Sequence, residues 1–207
     1  VPRTLVIDTA TAACSVALIE DHGIVAEFHD VVGRGHAERL MPMIAALPDG
    51  GRADAILVDC GPGSFTGVRV GLATARALGL GWGIGVHGYS SMSVIAAAAG
   101  RDDDLRATAV GIALTGGHGE LFVQRFAVQP LTALSSLESL PPDRAAMAIA
   151  EDDIFGSGAA TLVAARGSGV AHDRLPRAAD ALLLPPALAR LAPSPIYGRD
   201  ADAKPAA

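Results

Sequence analysis

"TLVIDTATAACSVALIEDHGIVAEFHDV", residues 4 to 31, holds three apolar stretches joined by connectors too short to contain a helix. "TLVIDTA" (Thr4 to Ala10), "CSVALIE" (Cys14 to Glu20) and "IVAEFHDV" (Ile24 to Val31) read as strands, with "DHG" (Asp21 to Gly23) as a turn. Connectors this short require an antiparallel meander, because a parallel crossover needs a dozen or more residues. "HAERLMPMIAAL" (His36 to Leu47) follows, with Leu40, Ile44 and Leu47 on one helical face and Pro42 set to kink or weaken it. "PDGGR" (Pro48 to Arg52) breaks the chain, and "AILVDC" (Ala55 to Cys60) is a further strand. A helix from Thr66 to Leu80, a short strand from Gly83 to Gly88 and a helix from Ser90 to Ala99 complete the pattern.

"GRDDD" (Gly100 to Asp104) is a polar break, so the expected lobes are residues 1–102 and 103–207. Beyond it, Ala107 to Thr115 and Glu120 to Val128 read as strands about a glycine turn. A strand near Met147 to Ala150, a helix after Gly156 to Gly158, a helix from Ala179 to Leu191 and an extended tail are expected in the remainder. Three strands, helix, strand, helix resembles the half-unit of the two-lobed actin, sugar-kinase and Hsp70-like ATPase fold. The expected class is therefore α/β, with mixed sheets flanked by helices.

Half of the 207 residues are apolar and the formal charge is −6, which suits a soluble globular chain and disfavours direct nucleic-acid binding. The one lysine is Lys204. Cys14 and Cys60 sit among strand-type apolar residues and are expected as buried free thiols in a reducing cytoplasm. No metal-type cysteine spacing, signal-peptide pattern or membrane-length apolar run is read, and the expected location is cytoplasmic.

"GPGSFTGVRVG" (Gly61 to Gly71) follows a strand and opens a helix, the position of phosphate-binding loops. A Walker loop needs a lysine that this stretch lacks, and the dinucleotide glycine spacing is absent too. Placed on a helix, Gly67, Gly71, Ala75 and Gly79 recur every four residues as a ridge of small groups, with Val68 and Leu72 beside it. Mid-helix glycine costs ~1 kcal/mol against alanine. Repeated glycine therefore marks close approach, either within the chain's own core or to a partner helix. Periodicity leaves both open.

"IDTAT" (Ile7 to Thr11) puts Asp8, Thr9 and Thr11 at the end of the first strand, where the ATPase fold places a magnesium-positioning acid and phosphate contacts. Ala10, Ala12 and Ala13 stand where close phosphate approach favours glycine, so a structural, turn-capping Asp8 is the simpler reading. Asp8, Thr9 and Thr11 are the residues a vestigial nucleotide site would use. No nucleophile elbow frames Ser64 or Cys60. His36, His87 and His118 are isolated in sequence, and His22, His29 and His36 fall on a turn, a strand and a helix start. Neither a triad nor a metal site is supported.

Three stretches together resemble the bacterial TsaB (YeaZ) family of tRNA threonylcarbamoyladenosine synthesis. They are "LVIDTATAACSVALIE" at the start, "GHAERLMPMI" (Gly35 to Ile44) and "GPGSFTGVRVGLATARALG" (Gly61 to Gly79), joined by the tail "PIYGRDADAKP" (Pro195 to Pro205). The resemblance implies the two-lobed fold and a non-catalytic scaffold that binds and activates the transferase TsaD. The ATPase TsaE joins the pair, and tRNA is met only through the complex. It implies no metal, no membrane and no cofactor for the isolated chain, with ATP or ADP confined to the full complex. The partner contact, by the same resemblance, is made by the helix of Gly67, Val68, Gly71, Leu72, Ala75 and Gly79 and the helix of Leu40 and Ile44. The free chain pairs with itself through that surface. Ser64 and Thr66 then cap the helix start.

Two departures stand out. Where the family pattern runs D-A-R-x-x-E, this chain reads "TGGHGE" (Thr115 to Glu120), so Thr115 and Gly117 replace the acid and the arginine while Glu120 remains. In the tail, Gly198 and Ala201 replace an apolar residue and a proline. The rival readings are a small ATPase or kinase using Asp8 and Thr11, a peptidase on Ser64 or Cys60, and a stand-alone tRNA binder.

Overall fold

The computed structural model describes residues 1–198, so the tail pattern from 199 to 205, with Ala201 and Lys204, lies outside the described residues. The first sheet contains β1 (Arg3–Asp8), β2 (Ala13–Glu20), β3 (Gly23–Val31), β4 (Ala55–Asp59) and β5 (Gly85–Tyr89). Its order is β3-β2-β1-β4-β5. The first three strands pair antiparallel, as their short connectors require, and β4 and β5 extend the sheet parallel to β1. The helices that make those parallel crossovers are α1 (His36–Ala46) and α2 (Phe65–Trp82). Leu40, Met43, Ile44, Val68, Leu72 and Ala75 from these helices pack on Leu5, Ile7, Val16, Leu18, Ile56 and Val58.

The second sheet repeats the plan. Strands β6 (Ala109–Thr115), β7 (Leu121–Val128) and the short β8 (Leu131–Ala133) form a meander, with β9 (Glu138–Leu140) continuing the edge beside β7. Then α4 (Pro142–Ala148) leads to β10 (Asp153–Phe155). Next α5 (Ala159–Arg166) leads to β11 (Val170–His172), and both new strands run parallel to β6. Two lobes of the same topology, each with a mixed sheet, constitute the two-lobed actin-like ATPase fold.

Helix α3 (Ser91–Ala99) joins the lobes, and all nine of its residues are buried. One side, with Val94 and Ala97, meets Val6, Leu57 and Tyr89 of the first sheet. The other, with Met92, Ile95 and Ala99, meets Val110, Ile112, Phe126 and Phe155 of the second. A helix buried all round must be apolar or have its polar groups paired, and "SMSVIAAAA" meets that demand with small residues that let both sheets approach and with Ser91 and Ser93 donating to Asp59 and the Ser90 carbonyl.

Three expectations require correction. The expected strand near Met147 is the end of α4, because Pro142 at the first helical turn and the run of alanines favour a helix. The expected helix from Ala179 to Leu191 is only a six-residue 3-10 turn, Ala178–Leu183, stopped ahead of Pro185 and Pro186. Residues 178–196 also belong spatially to the first lobe. Ala178, Ala179, Ala181 and Leu184 complete a cluster with Val6 and Ala17, the Ile196 N–H donates to the Cys60 carbonyl at 2.8 Å, and Gly88 bridges Leu191. Helix α1, by contrast, runs unbroken through the exposed Pro42.

Candidate functional site

Helix α2 starts where Ser64 caps it, accepting from the Gly67 N–H at 3.2 Å, and stops at the left-handed Gly83. Its ridge of small residues faces inward. A Cβ built on Gly67 would fall on the Thr9 carbonyl oxygen, one on Gly71 would lie 2.5 Å from Thr9 Oγ1, and one on Gly79 would lie 2.5 Å from Val86. The Thr9 hydroxyl donates to the Gly67 carbonyl at 2.7 Å and stitches the β1–β2 turn to the helix. The close approach read from the glycines is real, but its partners are the chain's own β1–β2 turn and strand β5.

This corrects the expected contact set. Leu40, Ile44, Gly67, Val68, Gly71, Leu72, Ala75 and Gly79 are all buried in the first lobe, so their side chains serve its core rather than an outer face, with Val68 also bordering a cleft. The sequence carried the signal: large apolar residues flank the ridge on both helices, which marks the core side. The opposite face presents Met41 and Ala45 on α1 and Ala73, Ala77 and Leu80 on α2, all exposed, Leu80 at 87%.

Asp8 is buried at the end of β1, accepting from the Tyr89 hydroxyl at 2.9 Å and from the Ala10 N–H at 3.4 Å. Asp59, at the end of the adjacent parallel β4, is buried too and escaped the sequence reading. It accepts from the Gly61 N–H at 2.7 Å and the Ser91 hydroxyl at 2.6 Å. The signal was present as "VDC", an acid in an apolar strand one step before the glycine turn. The two carboxyls end neighbouring parallel strands, and each acts on the other's ionisation. Burial pushes the Asp59 carboxyl up to about 6, and burial plus the Asp59 charge pushes Asp8 well above the carboxylate range. Two like charges cannot both stand unsolvated, so the pair resists full ionisation, and Asp8, raised the more, is the partner held toward its neutral form.

Thr11 differs from Asp8 and Thr9. It is partly exposed, and the turn it belongs to is held from behind by His36, whose Nε2 lies 2.9 Å from the Thr11 carbonyl and 3.2 Å from that of Ala13. Thr11, with Ala10 and Ala12, borders a cleft of about 1000 Å³ between the sheets. Gly63, Ser64, Val68 and Arg69 add to its first-lobe wall, Thr115 to His118, Phe122 and Ser157 form the second-lobe wall, and Pro195 to Gly198 cross its end. The described residues do not fit a magnesium nucleotide: the acid of the first strand is fully buried, held toward its neutral form and already accepting from Tyr89 and Ala10. Among the described residues no group of three histidine, cysteine or carboxylate side chains could hold a metal ion.

At the departures, Thr115 ties β6 to the β10–α5 turn. Its N–H donates to Ser157 Oγ at 3.1 Å and its hydroxyl to the Ser157 carbonyl at 3.2 Å. Gly117 is exposed at the loop tip, and Glu120 accepts from the Ser139 hydroxyl at 2.6 Å. Cys14 and Cys60 are buried free thiols, each pushed up to about 11 chiefly by burial, so neither is an activated nucleophile.

Comparison with known proteins decides the family. Residues 20–137 match the family model described as TsaD, tRNA N6-adenosine threonylcarbamoyltransferase. The solved structure of YeaZ from Pseudomonas aeruginosa superposes with a TM-score of 0.76 at 31% identity, covering 88% of this chain and 90% of that one. The chain belongs to the TsaB (YeaZ) family. A second Pseudomonas aeruginosa structure, an uncharacterized protein with similarity to peptidase YeaZ, superposes with a TM-score of 0.79 at 29% identity, covering 96% of this chain and all of that one. The Escherichia coli TsaB, titled a tRNA threonylcarbamoyladenosine biosynthesis protein, is 39% identical over 125 residues, 58% of this chain and 53% of that protein. The match thus spans about half the length of that curated TsaB. No helix among the described residues is long and apolar enough to cross a membrane.

Proposed function

We propose that this chain serves the synthesis of threonylcarbamoyladenosine in tRNA as a non-catalytic scaffold that binds the transferase TsaD and activates it. The names of its TsaB relatives and the match to a TsaD family model support the pathway and the choice of partner. The observation that carries the non-catalytic reading is the buried Asp8–Asp59 pair, which leaves the described lining of the cleft without an acid to position magnesium.

The surface for TsaD, in this reading, is the outward face of α1 and α2, with Met41, Ala45, Ala73, Ala77 and Leu80. An exposed apolar side chain such as Leu80 gains on burial, and the alanines permit close helix approach. A second copy of the chain competes for the same face when TsaD is scarce. The ATPase TsaE joins the pair and brings ATP or ADP with it. The isolated chain needs no cofactor and meets tRNA only through the complex.

The test is threonylcarbamoyl transfer to tRNA by TsaD and TsaE, with and without this chain and its Asp8→Asn variant. Stimulation by both forms, with no ATP turnover by the chain alone, is the expected result. ATP turnover by the pure chain that Asp8→Asn abolishes would establish the rival small ATPase instead.

A further inference from the structure

The cleft between the sheets has a chemistry of its own. Phe65, Phe122 and Tyr197 give it ring faces, and Ala10, Val68 and Leu114 give it apolar walls. Among the described residues lining it there is no aspartate or glutamate, and its charged or readily charged groups are Arg69 and His118. The Arg69 guanidinium carbon lies 3.3 Å from the Phe65 ring centroid and 5.7 Å from that of Tyr197. One of its N–H groups donates to the Phe65 carbonyl at 3.0 Å and another to the Tyr197 hydroxyl at 2.8 Å. A guanidinium carries five donors, so these bonds fix its plane and leave three for an incoming acceptor. The volume, about 1000 Å³, is at the upper end of drug-sized ligand sites, and such sites combine apolar walls with a few fixed polar groups in this way.

The same features select the ligand. Apolar and aromatic walls favour a flat ring system. Among the described lining residues, Arg69 is the one fixed cation and no carboxylate opposes it, which favours a negative charge. With Asp8 and Asp59 fully buried, a polyphosphate would find no acid among the described lining residues to hold its magnesium ion. We propose that this cleft binds a small aromatic compound bearing a single negative charge, with no metal, its ring against the aromatic walls and its anionic group on Arg69. The site goes beyond the role in tRNA modification and does not rest on it.

The test uses the full chain and anilinonaphthalene sulfonate, a flat aromatic monoanion whose fluorescence rises in apolar surroundings, with near-ultraviolet circular dichroism confirming the native state. Three variants sort the outcomes. Arg69→Gln removes the cation. Gly117→Trp places a large ring at the cleft wall from a position where an added Cβ meets nothing within 4 Å. Leu80→Asp alters the outward face of α2 and controls for binding there. The expected result is one probe per chain, bound about tenfold more weakly by Arg69→Gln, blocked by Gly117→Trp, unmoved by Leu80→Asp and not displaced by magnesium ATP. No binding to the native chain overturns the proposal, as does binding that ignores both Arg69→Gln and Gly117→Trp. Displacement by magnesium ATP overturns it in favour of a nucleotide site.

Discussion

Replacing a buried, hydrogen-bonded aspartate usually destabilises a protein, but Asp59→Asn should stabilise this one. Asp59 ends β4 beside Asp8, and burial raises its carboxyl from 3.8 to about 6. The folded protein therefore holds that proton more tightly than the unfolded chain does. The associated stability is fully present below the unfolded value, is lost as pH rises through the folded one, and stays lost at neutral pH. A rise of this size corresponds to about 3 kcal/mol. Asparagine carries no charge, keeps a carbonyl oxygen for the Gly61 N–H and puts an amide donor where Asp59 accepts from Ser91, at some loss in that bond. The net expectation at pH 8 is a gain of about 2 kcal/mol, or roughly 4–8 °C in Tm. Thermal unfolding followed by circular dichroism from pH 4 to pH 8 reads both features. The wild type should lose stability across the middle of that range, and Asp59→Asn should lose less. An Asp59→Asn protein less stable than wild type at pH 8, with an equally steep pH profile, would refute the reading of Asp59 as a carboxyl raised by burial.

Gly67→Ala gains ~1 kcal/mol in helix propensity, but its Cβ falls on the Thr9 carbonyl, so a net loss of about 2 kcal/mol is expected in urea unfolding, near the upper range for overpacking. Ser64→Ala removes the cap of α2 and should cost about 1 kcal/mol in the same assay. The Cys14 and Cys60 thiols, each near 11, should react with a disulfide reagent at pH 8 only at the rate of unfolding and at once in denaturant; rapid native reaction at either would contradict their burial. Leu80→Asp should change stability by less than about 0.5 kcal/mol, as exposed substitutions do, while removing association with TsaD.

The fold was legible because its connectors are short and its apolar runs clean. Residues 4 to 31 admit only a meander, and the glycine turn at 61–63 marks the crossover into α2. The second lobe was harder, since β8, β9, β10 and β11 have three residues each and owe their existence to pairing with β6, β7 and one another. The glycine ridge reads correctly as a close-approach surface; periodicity specifies a face without saying what lies against it, and the resemblance supplied a partner helix where the structure has Thr9 and Val86. Asp59 was missed for a related reason. A lone acid inside an apolar strand acquires its meaning only when β1 lies parallel beside β4 and brings Asp8 to it. The return of Ala178 to Ile196 onto the first lobe depends on contacts more than a hundred residues apart in the chain, which local pattern does not carry.

The central claim is that the outward face of α1 and α2 holds a protein partner. Light scattering on a sizing column tests it most directly, with the chain alone, then mixed with TsaD of the same organism, then with Leu80→Asp in place of wild type. The account predicts a one-to-one complex that forms with wild type and fails with Leu80→Asp, while the variant keeps its native circular dichroism. Absence of any complex at low and moderate salt, or a complex that Leu80→Asp leaves intact, would contradict it.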